Sequence, residues 1–215
     1  MPDFRLERAF WTEGKRRVAG VDEVGRGCLF GPVVAAAVIL PPFVPDLAQD
    51  VSSWPDWLRD INDSKRLTPA RRRTLARAIM EQAEAVGLGQ ASAAEIDRIN
   101  IFQASLLAMR RSVEALSVRP DALLLDGFPL KDVDYPLRPV PGGDLASVSI
   151  AAASIVAKVF RDEIIMSLDA IYGGYGLAQH KGYGTAEHYR ALARLGPTPF
   201  HRRSFRLRPE TVGRH

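Results

Sequence analysis

Apolar runs and helical periodicity alternate along this chain. Two β-rich runs, Arg17–Asp22 and Pro32–Leu40, flank a glycine-rich turn and predict a hairpin or closely spaced strand pair. Thr68-Pro69 has the form of a helix start, with proline pre-setting the first helical dihedral, and that helix is predicted to run to about Val86. After a short run at Gly87–Ala91, Ser92 and Glu95 have capping-box spacing and open a second helix ending near Leu116. Asp121–Asp126 (DALLLD) is unbroken apolar sequence between turn signals, as in a strand buried on both faces, and it ends in a carboxylate. A short extended piece leads to Gly142-Gly143-Asp144. A long helix is predicted over roughly Ser147–Ile171 and a last one over about Thr185–Leu195, stopped by Gly196-Pro197. Strands alternating with helices make the class α/β, with a mixed sheet. The Pro-rich stretch Pro41–Pro55 interrupts the pattern and is expected to be an exposed excursion.

Composition bounds this picture. A chain of 215 residues, 47% hydrophobic, buries a substantial core and fits one domain, with residues 1–171 as a sheet-and-helix core and about 172–215 as a basic C-terminal helical part. The longest apolar runs, Val33–Leu40 and Ile150–Ala157, are too short to span a bilayer, and the charged N-terminus lacks the apolar stretch of a signal peptide. The expectation is a cytoplasmic protein with no membrane partner. Cys28 is the only cysteine, which excludes an intramolecular disulfide and a thiolate zinc site and reads as a small residue in a tight turn. Net charge is +4, yet from His180 onward eight Lys/Arg stand against two Glu. Such a segment suits a polyanion.

The chemistry concentrates in Val18–Gly31, VAGVDEVGRGCLFG, where an apolar strand delivers Asp22 and Glu23 into a turn built on Gly25, Gly27 and Gly31. Ionised carboxylates are costly to bury unless paired or coordinating a metal. Asp126 repeats the arrangement, and two such strand ends side by side would converge their acids on one spot. Oxygen-rich clusters of this kind suit Mg²⁺ or Mn²⁺. Adjacent strand residues point to opposite faces, so Asp22 and Glu23 meet one ion only if the strand bends, for which the neighbouring glycines provide. The Gly25-Arg26-Gly27 turn lets backbone approach a ligand closely, and Arg26 offers a planar fork to a phosphate.

In order and spacing, VDEVGRGCLFGPVVAAAVIL, INDSKRL, LLLDGFP, SIAAASIVAKVFRDE, HKGYGT and HRRSF resemble bacterial ribonuclease HII, over about Val18 to Phe205. The resemblance implies a ribonuclease H-like fold, a central mixed sheet flanked by helices with a C-terminal helical part. It further implies a metal-dependent endonuclease that hydrolyses the RNA strand of RNA–DNA hybrids and cuts 5′ of ribonucleotides embedded in duplex DNA, leaving 5′-phosphate and 3′-hydroxyl. Two-metal hydrolysis is the expected mechanism, with Mg²⁺ or Mn²⁺ held by Asp22, Glu23, Asp126 and Asp144. Asp144 competes with Asp162, which has Lys158 four residues earlier as an ordinary helical partner; the Gly-Gly-Asp turn favours Asp144. Gly25, Arg26 and Gly27 with Tyr183 would recognise the ribonucleotide, whose 2′-hydroxyl separates RNA from DNA. Lys65, His180, Lys181, Arg202 and Arg203 are expected phosphate contacts. Cys28-Leu29-Phe30 and Phe128 depart from the family pattern, Phe128 standing where a polar residue is frequent. Expected partners are hybrid and ribonucleotide-bearing duplex, bound by a monomer. A non-catalytic RNA-binding protein would account for the arginines but not the acids. Resolvases and integrases of the same fold would cut pure DNA, and ribonuclease HIII carries an N-terminal domain for which the residues before Val18 leave no room.

Overall fold

The computed structural model describes residues 2–41, 44, 51–61 and 67–208. Strands β1 (Val18–Val24) and β2 (Val33–Ile39) pair antiparallel, and β3 (Ala85–Ala91) extends the sheet antiparallel beyond β2. On the other side β4 (Ala122–Asp126) runs parallel to β1, and β5 (Leu137–Val140) parallel to β4. The order β3-β2-β1-β4-β5 is the mixed sheet of an α/β fold.

Both faces of this sheet are covered, which is why its central strands read as continuous apolar runs. Ala19, Val21, Ala35, Ala37, Leu123 and Leu125 bury with residues of α4 (Ala93–Glu114). Val34, Ala36 and Val38 bury with α6 (Val148–Ile171) on the opposite face, and Val18 and Leu124 join Ile150 there. Small residues set how closely these layers approach. A Cβ at Gly20 would overlap the backbone of Ser149, and one at Gly87 or Gly89 would overlap the α4 carbonyls of Ser112 or Ala108. The alanines of β2 and of the first half of α6 are almost wholly buried in the same layers.

The N-terminus of α6 is fastened twice. Ser147 caps it, its hydroxyl accepting from the Ile150 amide at 3.2 Å. Glu7 of α1 (Arg5–Trp11) then accepts from the Ser147 hydroxyl at 2.6 Å and from the Ser149 amide and hydroxyl at 3.0 and 2.8 Å. Burial pushes the Glu7 carboxyl above its ordinary range, while these donors oppose the shift. Nothing in the first seventeen residues marked Glu7 as a buried group.

Several predicted bounds move. β1 continues through Val24 rather than ending at Asp22. Helix α3 (Pro69–Gln82), capped by Thr68, stops before Val86 because Val86 pairs with Val38, so the short run expected at Gly87–Ala91 is a full strand from Ala85. The capping box of Ser92 and Glu95 forms, but α4 breaks at Asn100 (φ 67°, ψ 164°), whose side chain accepts from the Gln103 amide at 3.1 Å and recaps the helix. The excursion at Pro41–Pro55 is not wholly exposed: among its described residues Val44 and Trp54 are buried, Trp54 standing edge-on to Phe4 at 4.7 Å. It leads into the short α2 (Asp56–Arg59). Past α6, the helices α7 (Leu177–His180) and α8 (Ala186–Leu195) pack on the second half of α6 through Ile165, Leu168, Leu177 and Leu192, with Phe30 from the segment after β1.

Gly20→Ala forces α6 off the sheet and is expected to cost about 2–3 kcal/mol, read as a lowered urea midpoint. Gly173→Ala meets open space and should leave the midpoint within error.

Candidate active site

β1 and β4 are adjacent and parallel, with Val21 opposite Leu125, so Asp22 and Asp126 stand one residue beyond the last paired position at the same edge. β4 is extended by β5, and the chain then turns through Gly142, left-handed at φ 67°, into the one-turn helix α5 (Gly143–Ala146) that carries Asp144. Asp126 accepts from the Gly143 amide at 2.7 Å, tying the end of β4 to that turn. Asp22 and Asp144 are buried, and Glu23 is half-buried.

No bend brings the first two acids together. Asp22 and Glu23 remain in regular register with Ala36 and Ala35. Asp22 therefore lies on the α6 side, hydrogen-bonded to Ser154, and Glu23 emerges on the other face at the end of the sheet. Their charges meet nonetheless. Burial drives the Asp22 carboxyl well above its usual range, and Glu23, Asp126 and Asp144 push it further in the same direction, while Ser154 opposes them. Glu23 is also raised, by burial foremost and by Asp126, against the pull of Arg26, which donates to it at 3.2 Å. Among the described residues no three His, Cys, Asp or Glu side chains are gathered closely enough, as they stand, to hold a metal ion. The donors are all carboxylate oxygens at a sheet edge, the chemistry a hard divalent ion takes while keeping several waters. Asp162 is paired with Lys158 at 2.7 Å, as its helical spacing foretold.

The glycine turn after β1 is held from behind by two fully buried arginines. Arg161 of α6 donates to the carbonyls of Pro32, Phe30 and Lys181, each at 3.0 Å. Gly25 (φ 95°) is required where it is because a Cβ would overlap the Arg161 guanidinium. Arg202 donates to the carbonyls of Gly31 at 3.0 Å and Arg26 at 2.8 Å and lies over the Phe205 ring. Burial lowers its pKa to about 10. This corrects the expectation for Arg202, whose guanidinium is committed to the turn rather than offered to phosphate. His180 is corrected likewise, its two ring nitrogens meeting the Tyr175 carbonyl at 2.8 Å and the Gly182 amide at 3.2 Å.

The Lys181 ammonium donates to the Ala178 carbonyl at 2.6 Å. Arg203 is exposed, its backbone amide donating to Asp97. Tyr183 is 43% exposed and pairs through its backbone with Cys28, which brings it beside the exposed Gly27 and the half-buried Arg26. Cys28 is buried, as its reading as a small structural residue requires. Lys65 lies outside the described residues. Sequence reasoning missed Arg161, Ser154 and the buried pair His188 and His201, 3.1 Å apart between ring nitrogens. Of these only Arg161 carried a signal, a charge one turn beyond the apolar half of α6.

A family model described as Ribonuclease HII matches residues 19–208. Ribonuclease HII of Moorella thermoacetica is 52% identical over 203 residues, covering 94% of this chain and 93% of the relative. Of solved structures, the ribonuclease H2 from Pyrococcus horikoshii OT3 aligns with a TM-score of 0.68 at 25% identity, over 89% of this chain and 94% of that one. Bst-RNase HIII in complex with Mn²⁺ aligns with a TM-score of 0.58 at 25% identity, over 85% and 63%. The match runs from β1 to the last described residue and takes in both acid-bearing strands, and on it this chain belongs to the ribonuclease HII family.

Proposed function

We propose that Asp22, Glu23, Asp126 and Asp144 are the carboxylates with which this ribonuclease HII, a metal-dependent endonuclease of RNA–DNA hybrids, holds its divalent ions. The observation that carries this is geometric: the paired ends of β1 and β4 set Asp22 and Asp126 side by side, and Asp126 holds the turn that carries the buried Asp144. Mg²⁺ or Mn²⁺ held by these four carboxylates would supply an activated water and neutralise charge at the leaving 3′-oxygen. The residues around the ions position the substrate. Arg26 and the Gly25–Gly27 backbone, kept in place by Arg161 and Arg202, face the ribonucleotide, and Tyr183 packs on the adjoining sugar. Gly27 has open space about it, so backbone reaches a 2′-hydroxyl without a side chain intervening. Lys65, Lys181 and Arg203 are the remaining candidates for phosphate contact. We further propose cleavage 5′ of single embedded ribonucleotides, by a monomer in the cytoplasm whose basic C-terminal part from about residue 172 belongs to the same domain. Among the described residues no helix is long and apolar enough to cross a membrane.

Asp22→Asn should abolish cutting of a labelled duplex bearing one ribonucleotide while leaving its binding largely intact; substantial residual cutting with Mg²⁺ would sink the assignment. Asp144→Asn should lose turnover at least a hundredfold and Asp162→Asn should stay near parent, and the reverse order would move the fourth ligand to Asp162.

The same acids set a stability test. The Asp22 carboxyl titrates above its ordinary value of 3.8, so its repulsion is absent in strong acid and grows as pH rises through the folded-state value. Metal-free Asp22→Asn should therefore melt above the metal-free parent at pH 7, by about 2–4 °C for each kcal/mol relieved, and the gap should close toward pH 4. Adding Mg²⁺ should raise the melting temperature of the parent more than that of the variant.

A further inference from the structure

Phe128 follows Asp126-Gly127 directly and is 47% exposed. Its ring stands edge-on to Phe102, itself 36% exposed, with centroids 5.1 Å apart and planes at 83°. The break at Asn100 lies two residues before Phe102, where α4 restarts. Arg26 lies over the other ring at 5.9 Å. The pair walls a groove of about 530 Å³ whose rim includes Arg110 and the exposed Lys131. Arg110 donates to the carbonyls of Lys131 and Asp132, so it braces the loop that presents Phe128 and keeps its charge beside the groove. Exposed rings grouped with cations mark a binding surface rather than a satisfied core.

Position identifies the occupant. Consecutive Cα atoms are about 3.8 Å apart, so the Phe128 backbone lies within about 7.6 Å of Asp126, roughly two base-pair rises of 3.4 Å. A duplex seated with its scissile phosphate at the acids comes within reach of Phe128. Its bases are stacked inside it, so the surface it presents there is sugar and phosphate. Apolar sugar faces suit the rings, and phosphates suit Arg26, Arg110 and Lys131; among the described residues Asp132 is the one acid lining the groove.

We propose that Phe128, braced by Phe102, packs on a sugar of the bound duplex about two nucleotides from the scissile phosphate and grips the substrate through apolar contact. The proposal rests on the acids being the cleavage site. It makes Phe128 a binding residue engaged equally before and during reaction, which lowers KM and not the chemical barrier.

The test is Phe128→Ala, Phe128→Trp and Phe102→Ala, each first shown to melt like the parent. Two readouts are needed: kcat and KM on a duplex with one ribonucleotide, and Kd by anisotropy on the all-DNA duplex, which needs no turnover. Phe128→Ala should raise both KM and Kd about five- to tenfold with kcat within twofold, Phe128→Trp should stay near parent, and Phe102→Ala should lose about threefold. With the flanks shortened pair by pair, the parent should lose affinity in a step about two pairs from the ribonucleotide, and Phe128→Ala should lack that step. An unchanged Kd in Phe128→Ala overturns the proposal, as does a fall in kcat alone, which would place Phe128 in support of Asp126. Unchanged Kd with loss of self-association in sedimentation would also overturn it and give the face to a protein. A parent that binds duplex but cuts nothing would defeat the cleavage reading alone, since Kd still scores the grip.

Discussion

The parallel pairing of β1 with β4 is the constraint from which the rest of this structure follows. It sets two apolar strands side by side in the middle of the sheet, with Val21 opposite Leu125, and so delivers Asp22 and Asp126 to one edge. Carboxylates so placed repel one another, and the repulsion is tolerated only because the strands beneath them cannot slip. Each is buried on both faces and closely covered, and a shift of one residue would turn every side chain to the wrong layer. Gly20 lets α6 lie directly against β1, and Glu7 and Ser147 hold the N-terminus of that helix where it must be for Ser154 to reach Asp22. The site is thus a local instability underwritten by a close-packed core.

A second rigid body stands beside it. Arg161 and Arg202 gather carbonyls from the glycine turn with the segment directly after it and from the loop before Tyr183, so that α6 and the C-terminal part are joined to these two pieces of chain by two guanidinium groups. Five-donor planar groups suit this task, since each bonds several carbonyls in one plane without relying on an acid that would add to the charge nearby. The basic character of the C-terminal part is therefore of two kinds. Arg202 is buried against backbone carbonyls, while Arg203, its neighbour, is exposed. Net charge in a segment does not distinguish them; burial does.

Much of this was legible in the residues. The α/β class, the capping box at Ser92, the buried strand ending in Asp126, the Gly-Gly-Asp turn and the long helix from Ser147 each follow from a local preference that the fold then respects. The pairing of Asp162 with Lys158 was readable from their spacing. What misled was competition between levels. Glu84–Val86 has nothing in its sequence that forbids another turn of helix, and the pairing of Val86 with Val38 overrides it. Asn100 carries no proline or glycine to announce a broken helix, yet its side chain offers the cap that makes a restart tolerable.

The sequence by itself determined the alternation of the main strands and helices and which acids close the apolar strands, because these depend on neighbours within a few residues. Only the tertiary structure decided that Asp22 and Glu23 meet without a bend, that Glu7 is a buried helix cap, and that Arg161 and Arg202 face inward. Those outcomes depend on partners outside the local stretch of chain, and a charge whose desolvation is met by carbonyls from elsewhere in the chain looks, in one dimension, like any charge on the surface.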